Sequence, residues 1–234
     1  MLKSYSINVL LGMLLFIGLS TLNAQKTGPK IIESNVRNPD DILLLGAPRA
    51  LSEEIEGSPH ISEDFLPARI NELKNTQFVR YNAALDIMEI LDENDATLVL
   101  SKAISYRIVL KDGSGKIYEN HAFNVDGEIK SGYFNPIGEL SQTLALYKKE
   151  NIRFIKGKLA KSSLEQDVPS KFKREKDTYF FKKTEVDEME ELPSSKNAFI
   201  KKFDKKNLKV YMKKNKLDFR NEKNLIAILT YYFQ

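Results

Sequence analysis

Apolar and polar positions alternate most clearly between Ala103 and Phe123. Ile104, Tyr106, Ile108 and Leu110 alternate with Ser105, Arg107 and Lys111, the two-residue period of a strand with one buried face, and Val109 is the one exception. Asp112-Gly113-Ser114-Gly115 supplies turn chemistry, and Lys116 to Phe123 reads as the returning strand of a hairpin. A loop at Gly113-Ser114 would set Leu110 opposite Ile117, Tyr106 opposite His121 and Ile104 opposite Phe123.

The same period recurs on both sides. Arg69 to Leu73, Gln77 to Asn82, Asp86 to Leu91 and Thr97 to Leu100 are candidate strands before the hairpin, and Gln142 to Tyr147 and Ile152 to Ile155 follow it. Asn75, Asp92-Glu93-Asn94-Asp95, Asp126-Gly127 and Asn135-Pro136 mark turns. Gly157 to Lys176 is basic, broken by Pro169, and reads as a linker or a long excursion. A further hairpin, Thr178 to Lys182 with Glu188 to Leu192, turns near Asp187.

The period then lengthens. Ser194-Ser195 is a helix-start signal before Phe199, Ile200 and Phe203. Asp204 is positioned to cap a second helix carrying Leu208, Tyr211 and Met212 and ending near Asn215. Asn221 is positioned to cap a third, in which Leu225, Ile228, Leu229 and Tyr232 share one face. The expected fold is therefore α+β: an antiparallel β meander, curled or barrel-like, followed by about three short C-terminal helices.

Residues 1–24 stand apart. Lys3, an apolar run from Ile7 to Leu19 and the small residue Ala24 give the order of a secretory signal peptide, with cleavage expected between Ala24 and Gln25. The apolar run is shorter than the ~20 residues a membrane span requires. The expectation is export to the periplasm, the cell surface or the medium, with no transmembrane span after signal removal. No cysteine occurs, so a lipid-anchoring thiol and disulfides are both excluded. Segment boundaries follow: an arm over 25–60, a β domain over 61–156, the basic linker over 157–176, the hairpin over 177–192 and a helical segment over 193–234.

Several positions resemble an uncharacterised family of secreted β-rich proteins from Bacteroidetes-type bacteria. They are Gly57-Ser58-Pro59 with Phe65 and Pro67, Tyr81-Asn82 before Asp86-Ile87-Met88-Glu89-Ile90, Gly132-Tyr133-Phe134, Leu146-Tyr147-Lys148-Lys149 and Tyr179-Phe180-Phe181. The tail adds Phe203, Leu208, Tyr211, Lys213-Lys214-Asn215-Lys216-Leu217, Asn224-Leu225-Ile226 and Tyr231-Tyr232. The resemblance implies export and a β-rich body with a helical tail, and it carries no known activity.

Candidate chemistry is sparse. His60 and His121 are the only histidines, and neither has partners at metal or triad spacing, so an ordinary structural role is the expectation. Asp92-Glu93-Asn94-Asp95 lacks the spacing of a calcium loop. Gly113-Ser114-Gly115-Lys116 lacks the earlier glycine of a phosphate loop, since position 110 is leucine. No cofactor is called for. Charge is the most unusual feature: residues 25–147 carry a net −7, 148–183 a net +7, 184–195 a net −5, and 196–216 nine lysines against Asp204. Lys201, Lys202, Lys205, Lys206, Lys209, Lys213 and Lys214 form the candidate anion-binding face, which would meet an anionic envelope component. A plain solvated helix face is the competing and favoured reading. No specific nucleic-acid motif is present, and the tail has only Arg220 for forked phosphate recognition.

The functional expectation is an exported, non-catalytic binding or structural protein of the cell envelope. The alternative is a periplasmic hydrolase with a carboxylate-based site, although no carboxylate pair can be nominated. An outer-membrane barrel is disfavoured because residues 221–233 follow a helical period.

Overall fold

The computed structural model describes residues 44–46, 55–71, 73–160, 166–186, 188–204 and 207–233. The expected signal segment with its Ala24–Gln25 cleavage point lies outside these residues, as do Lys205 and Lys206 of the anion-binding face. The fold is α+β, with a β meander, a small closed barrel and three helices towards the C-terminus. Among the described residues no helix is long and apolar enough to cross a membrane.

Alternation builds the meander. Strands β1 (Leu44–Gly46), β2 (Leu66–Ile70), β3 (Gln77–Asn82), β4 (Ile87–Leu91), β5 (Thr97–Leu100), β6 (Arg107–Leu110) and β7 (Ile117–Val125) lie in the order β1-β5-β4-β3-β2-β6-β7, all antiparallel. Cross-strand partners Ala68 and Leu110, Ile70 and Ile108, Val79 and Ile90, and Tyr81 and Met88 all fall on one face and form its core. The in-between residues Arg69, Arg80, Arg107 and Glu119 therefore fall on the other face.

Beyond β7 the sheet curls shut. Strand β8 (Glu128–Ser141) pairs with β7 along its first half and with β9 (Leu144–Lys149) along its second, with irregularities at Pro136/Gly138 and Glu139/Ser141. Strand β12 (Thr178–Lys183) pairs with β9 and with β13 (Glu188–Glu191). Strand β13 then runs parallel to β7, with Glu188 opposite Ala122 and Met189 opposite Phe123. This seam closes the ring β7-β8-β9-β12-β13.

So narrow a barrel is filled by side chains. Phe123, Phe134, Tyr147, Phe180 and Met189 occupy its interior, and the Phe134 ring meets Phe123 at 5.3 Å and Phe180 at 4.9 Å edge-on. Each wall divides two cores. Tyr133 joins the meander core while Phe134 enters the barrel, and Phe181 joins the helix layer while Phe180 enters the barrel.

The helices cover the outer wall. In α1 (Lys196–Lys202), Ser195 caps by accepting from the Ala198 amide. Helix α2 (Leu208–Lys214) follows, and in α3 (Glu222–Phe233) Asn221 accepts from the Asn224 amide. Phe199, Leu208, Met212, Leu225, Ile228 and Leu229 close a core with Leu144, Leu146 and Phe181 of the barrel wall.

Several expectations are corrected. The central hairpin pairs Val109 with Ile117 and Ile108 with Tyr118, one residue away from the expected register. Its loop is longer than two residues, because Asp112 and Ser114 hydrogen-bond within it and the Leu110 amide donates to the Lys116 carbonyl. The first strand ends at Ile70 and does not extend to Leu73. Strand β8 replaces the turn expected at Asn135-Pro136. Lys171–Arg174 forms β11, antiparallel to β10 (Ile152–Ile155), where a linker was expected. Asn207, not Asp204, is the N-cap of α2, and it sits in the left-handed region at φ 55°.

Candidate functional site: a cationic cleft at the barrel mouth

On β7, Glu119, His121 and Phe123 share one face. Phe123 lies inside the barrel, so Glu119 and His121 stand at its mouth. There Glu119 accepts from the Tyr147 hydroxyl at 3.2 Å and contacts His121 Nε2 at 3.2 Å. Arg107, its cross-strand partner on β6, forms an ion pair with it.

Lys182 of β12 brings Nζ to 3.4 Å from His121 Nδ1. An ammonium only donates, so Nδ1 is the acceptor in that contact, and Nε2 is the ring nitrogen that faces Glu119. The His121 ring also lies edge-on to Tyr147, with centroids 5.1 Å apart.

Glu119, His121, Arg107 and Lys182 line a cleft of about 750 Å³ that Val109 also lines. Arg69 from β2, Arg107, Lys111 from the hairpin loop and Lys182 all line it, and Glu119 is its single carboxylate. The formal balance of those five groups is +3. Burial pushes the Glu119 carboxyl upward, but the His121 hydrogen bond, the Arg107 charge and the Tyr147 hydroxyl together hold it below the usual range. Burial and the Glu119 charge push the Tyr147 hydroxyl well up, so it stays a donor. Arg69 and Lys111 have no ion-pair partner among the described residues. Two guanidinium forks and two ammonium groups thus face a cleft whose carboxylate is already engaged, an arrangement suited to oxyanions.

The other charged clusters hold the fold together. Ser58 Oγ lies 3.4 Å from His60 Nδ1 and His60 Nε2 3.1 Å from Glu89, the order of a hydrolytic triad, but Ser58 Oγ also accepts from the His60 amide, and Glu89 is bound by Arg80 and Asn82 as well as His60. This clasp pins residues 57–65 over the outer face of β3 and β4. Glu150 accepts from Lys116 and Tyr118, tying the hairpin to the end of β9. Asp86 pairs with both Lys102 and Lys149. No group of three or more His, Asp or Glu gathers as metal ligands among the described residues.

The expected anion-binding face is only partly assembled. Lys201 and Lys202 end α1, while Lys209, Lys213 and Lys214 are exposed on α2. Lys202 is engaged by Glu190 and the Glu191 carbonyl. His121, for which an ordinary structural role was expected, lies between Glu119 and Lys182 and contacts both. The mouth residues come from four strands and one loop, so no local spacing announces them. The available signal was the polar alternation Arg107, Glu119, His121 on the hairpin. No protein-family model, curated protein or solved structure matches the chain.

Proposed function

We propose that this is a non-catalytic binding protein of the cell envelope that takes a polyanionic ligand at the barrel mouth. The observation that carries the reading is the convergence of Arg69, Arg107, Lys111 and Lys182 on one cleft whose single carboxylate is already engaged. The hydrolase reading has less support. A carboxylate acting as general acid needs a raised pKa, whereas burial of Glu89 and Glu119 is outweighed by cations and hydrogen bonds that keep both ionised. Export, with cleavage between Ala24 and Gln25, and the kinship with secreted Bacteroidetes-type proteins belong to the same proposal. They rest on the sequence.

Calorimetric titration with sulfated and carboxylated oligosaccharides and with inorganic phosphate tests it. Arg69→Gln with Lys111→Gln leaves every described ion pair intact and should weaken binding tenfold or more, on the order of two lost charge-assisted contacts. Failure of the unaltered protein to bind any oxyanion at low salt, or equal binding by the folded double variant, overturns the proposal. N-terminal sequencing of protein recovered outside the cytoplasm tests export.

A further inference from the structure

A second cationic feature lies away from the barrel mouth, and its composition differs. Helices α1 and α2 flank a groove of about 230 Å³ walled by Lys196, Lys209, Lys213 and Lys216. No acidic residue lines it, and none of the four lysines has an ion-pair partner among the described residues. Lys202, which belongs to the same helix pair, shows the contrast: it is already engaged by Glu190.

The local sequence dictates this excess. Phe199, Leu208 and Met212 turn one side of each helix into the core, which leaves the lysines outside. Lys209 and Lys213 are four residues apart, so they are stacked neighbours on α2 with like charge and oppose the helix that carries them. The groove floor is apolar. Ile200 and Leu217 are half-buried there, with the nearly covered side chain of Met212 behind them. Beside the lysines, Val210 is 63% exposed on α2.

We infer that this groove is a membrane-surface site that meets the headgroups of anionic lipids. Charge complementarity calls for an anion, and the apolar floor with exposed Val210 calls for one attached to hydrocarbon. Size decides how the lipid is met. Pockets that enclose a small molecule run to roughly 300–1,000 Å³. This groove is smaller, so it accepts a headgroup and the first carbons of its chains while the lipid stays in the bilayer. Lysines suit that task as point charges, since a fluid surface offers no fixed fork geometry to match. The inference is independent of the barrel-mouth reading and stands or falls without it.

Sedimentation of the full chain with vesicles tests it. Phosphatidylcholine vesicles should leave the protein in solution, whereas vesicles of phosphatidylcholine with phosphatidylglycerol should carry it down, less so as salt rises. Lys209→Gln with Lys213→Gln should weaken that binding roughly thirtyfold, since each lysine near an anionic surface contributes about fivefold. The same charge loss on β11, Lys171→Gln with Lys173→Gln, should change it little. Val210→Asn should weaken vesicle binding and leave capture by soluble dextran sulfate unchanged. All the altered side chains are exposed, and thermal melts of each variant serve to check that its fold is unaltered. The inference is overturned if phosphatidylglycerol vesicles are not bound at low salt, or if the two lysine pairs behave alike. It is also overturned if Val210→Asn binds vesicles as well as the unaltered chain, which would mark a general polyanion surface.

Discussion

Lys149 Nζ and Asp86 Oδ2 meet at 2.8 Å across strand β8, in the space left by the missing side chain of Gly132. Lys149 rises from the barrel interior, passing over the rings of Phe123 and Phe134, and Asp86 belongs to the turn between β3 and β4. One ion pair thus joins the barrel to the meander. Burial lowers the Lys149 pKa, and Asp86 opposes the shift.

Gly132→Ala should therefore be costly even though the backbone there is ordinary strand. A Cβ would lie 2.6 Å from Asp86 Oδ2 and 2.7 Å from Lys149 Nζ. Asp86 cannot retreat, because Tyr81 and the Tyr133 amide hold its other oxygen. We expect a loss of about 1–3 kcal/mol from overpacking, and more where the ion pair breaks. Urea unfolding measures it, and an unchanged midpoint contradicts the assignment.

Acid should loosen the clasp over β3 and β4. Burial raises the Glu89 pKa, but hydrogen bonds from His60, Arg80 and Asn82 outweigh it and hold the carboxyl at about 2. Its folded pKa lies below its unfolded one, so its stabilisation is present in full above the usual carboxylate range. That stabilisation is lost as pH falls from about 4.5 towards 2. The loss should be on the order of 3 kcal/mol across that window. Glu89→Gln removes this component, so its stability should be lower at neutral pH and flatter below pH 5. A parallel decline in both proteins would assign acid sensitivity elsewhere.

The third helix is part of the core. Leu225 and Leu229 are essentially inaccessible and pack with Phe199, Phe219 and the barrel wall. Leu225→Ala and Leu229→Ala should each cost about 2–5 kcal/mol. Val210→Ala on exposed α2 should cost little. Chemical denaturation of the three variants gives the ranking.

Inside the barrel, Phe134 is fully buried and edge-on to two other phenylalanines. Phe134→Ala should cost about 3–5 kcal/mol and loosen the seam between β7 and β13. Hydrogen exchange at Met189 reads that loosening directly, and unchanged protection there would show the seam to be independent of the filling.

Legibility in the sequence followed the range of the interactions. Gln77–Asn82, Thr97–Leu100 and Ile152–Ile155 were readable to the residue because short runs rich in β-branched and aromatic residues lie between local turn residues, Asn75, Asp92 to Asp95 and Gly157 among them. The Ser195 and Asn221 caps were readable for the same reason. Strand β8 was not, because Gly132, Pro136 and Gly138 resemble turn residues. They serve there as a passage for Lys149 and as bulge positions. The hairpin register slipped by one because hydrogen bonds within its loop, not its glycines alone, set the length. Arg69, Glu119, His121 and Lys182 meet only after the ring has closed, so the barrel mouth lay beyond any pattern within one segment.

The parallel seam between β7 and β13 also dictates an order of assembly. The hairpins β2-β3-β4-β5 and β6-β7 need only near neighbours, and the pairings of β2 with β6 and of β1 with β5 join residues 38 to 56 apart, but Phe123 finds its partner at the still more distant position 189. Contacts so remote in sequence form late, because the intervening chain must first be brought together. Until β13 arrives, two strand edges offer unpaired backbone and an aromatic interior stands open to water, a state prone to joining other chains. A nascent chain that stops short of Glu188 therefore holds a complete meander and an open, adhesive half-barrel.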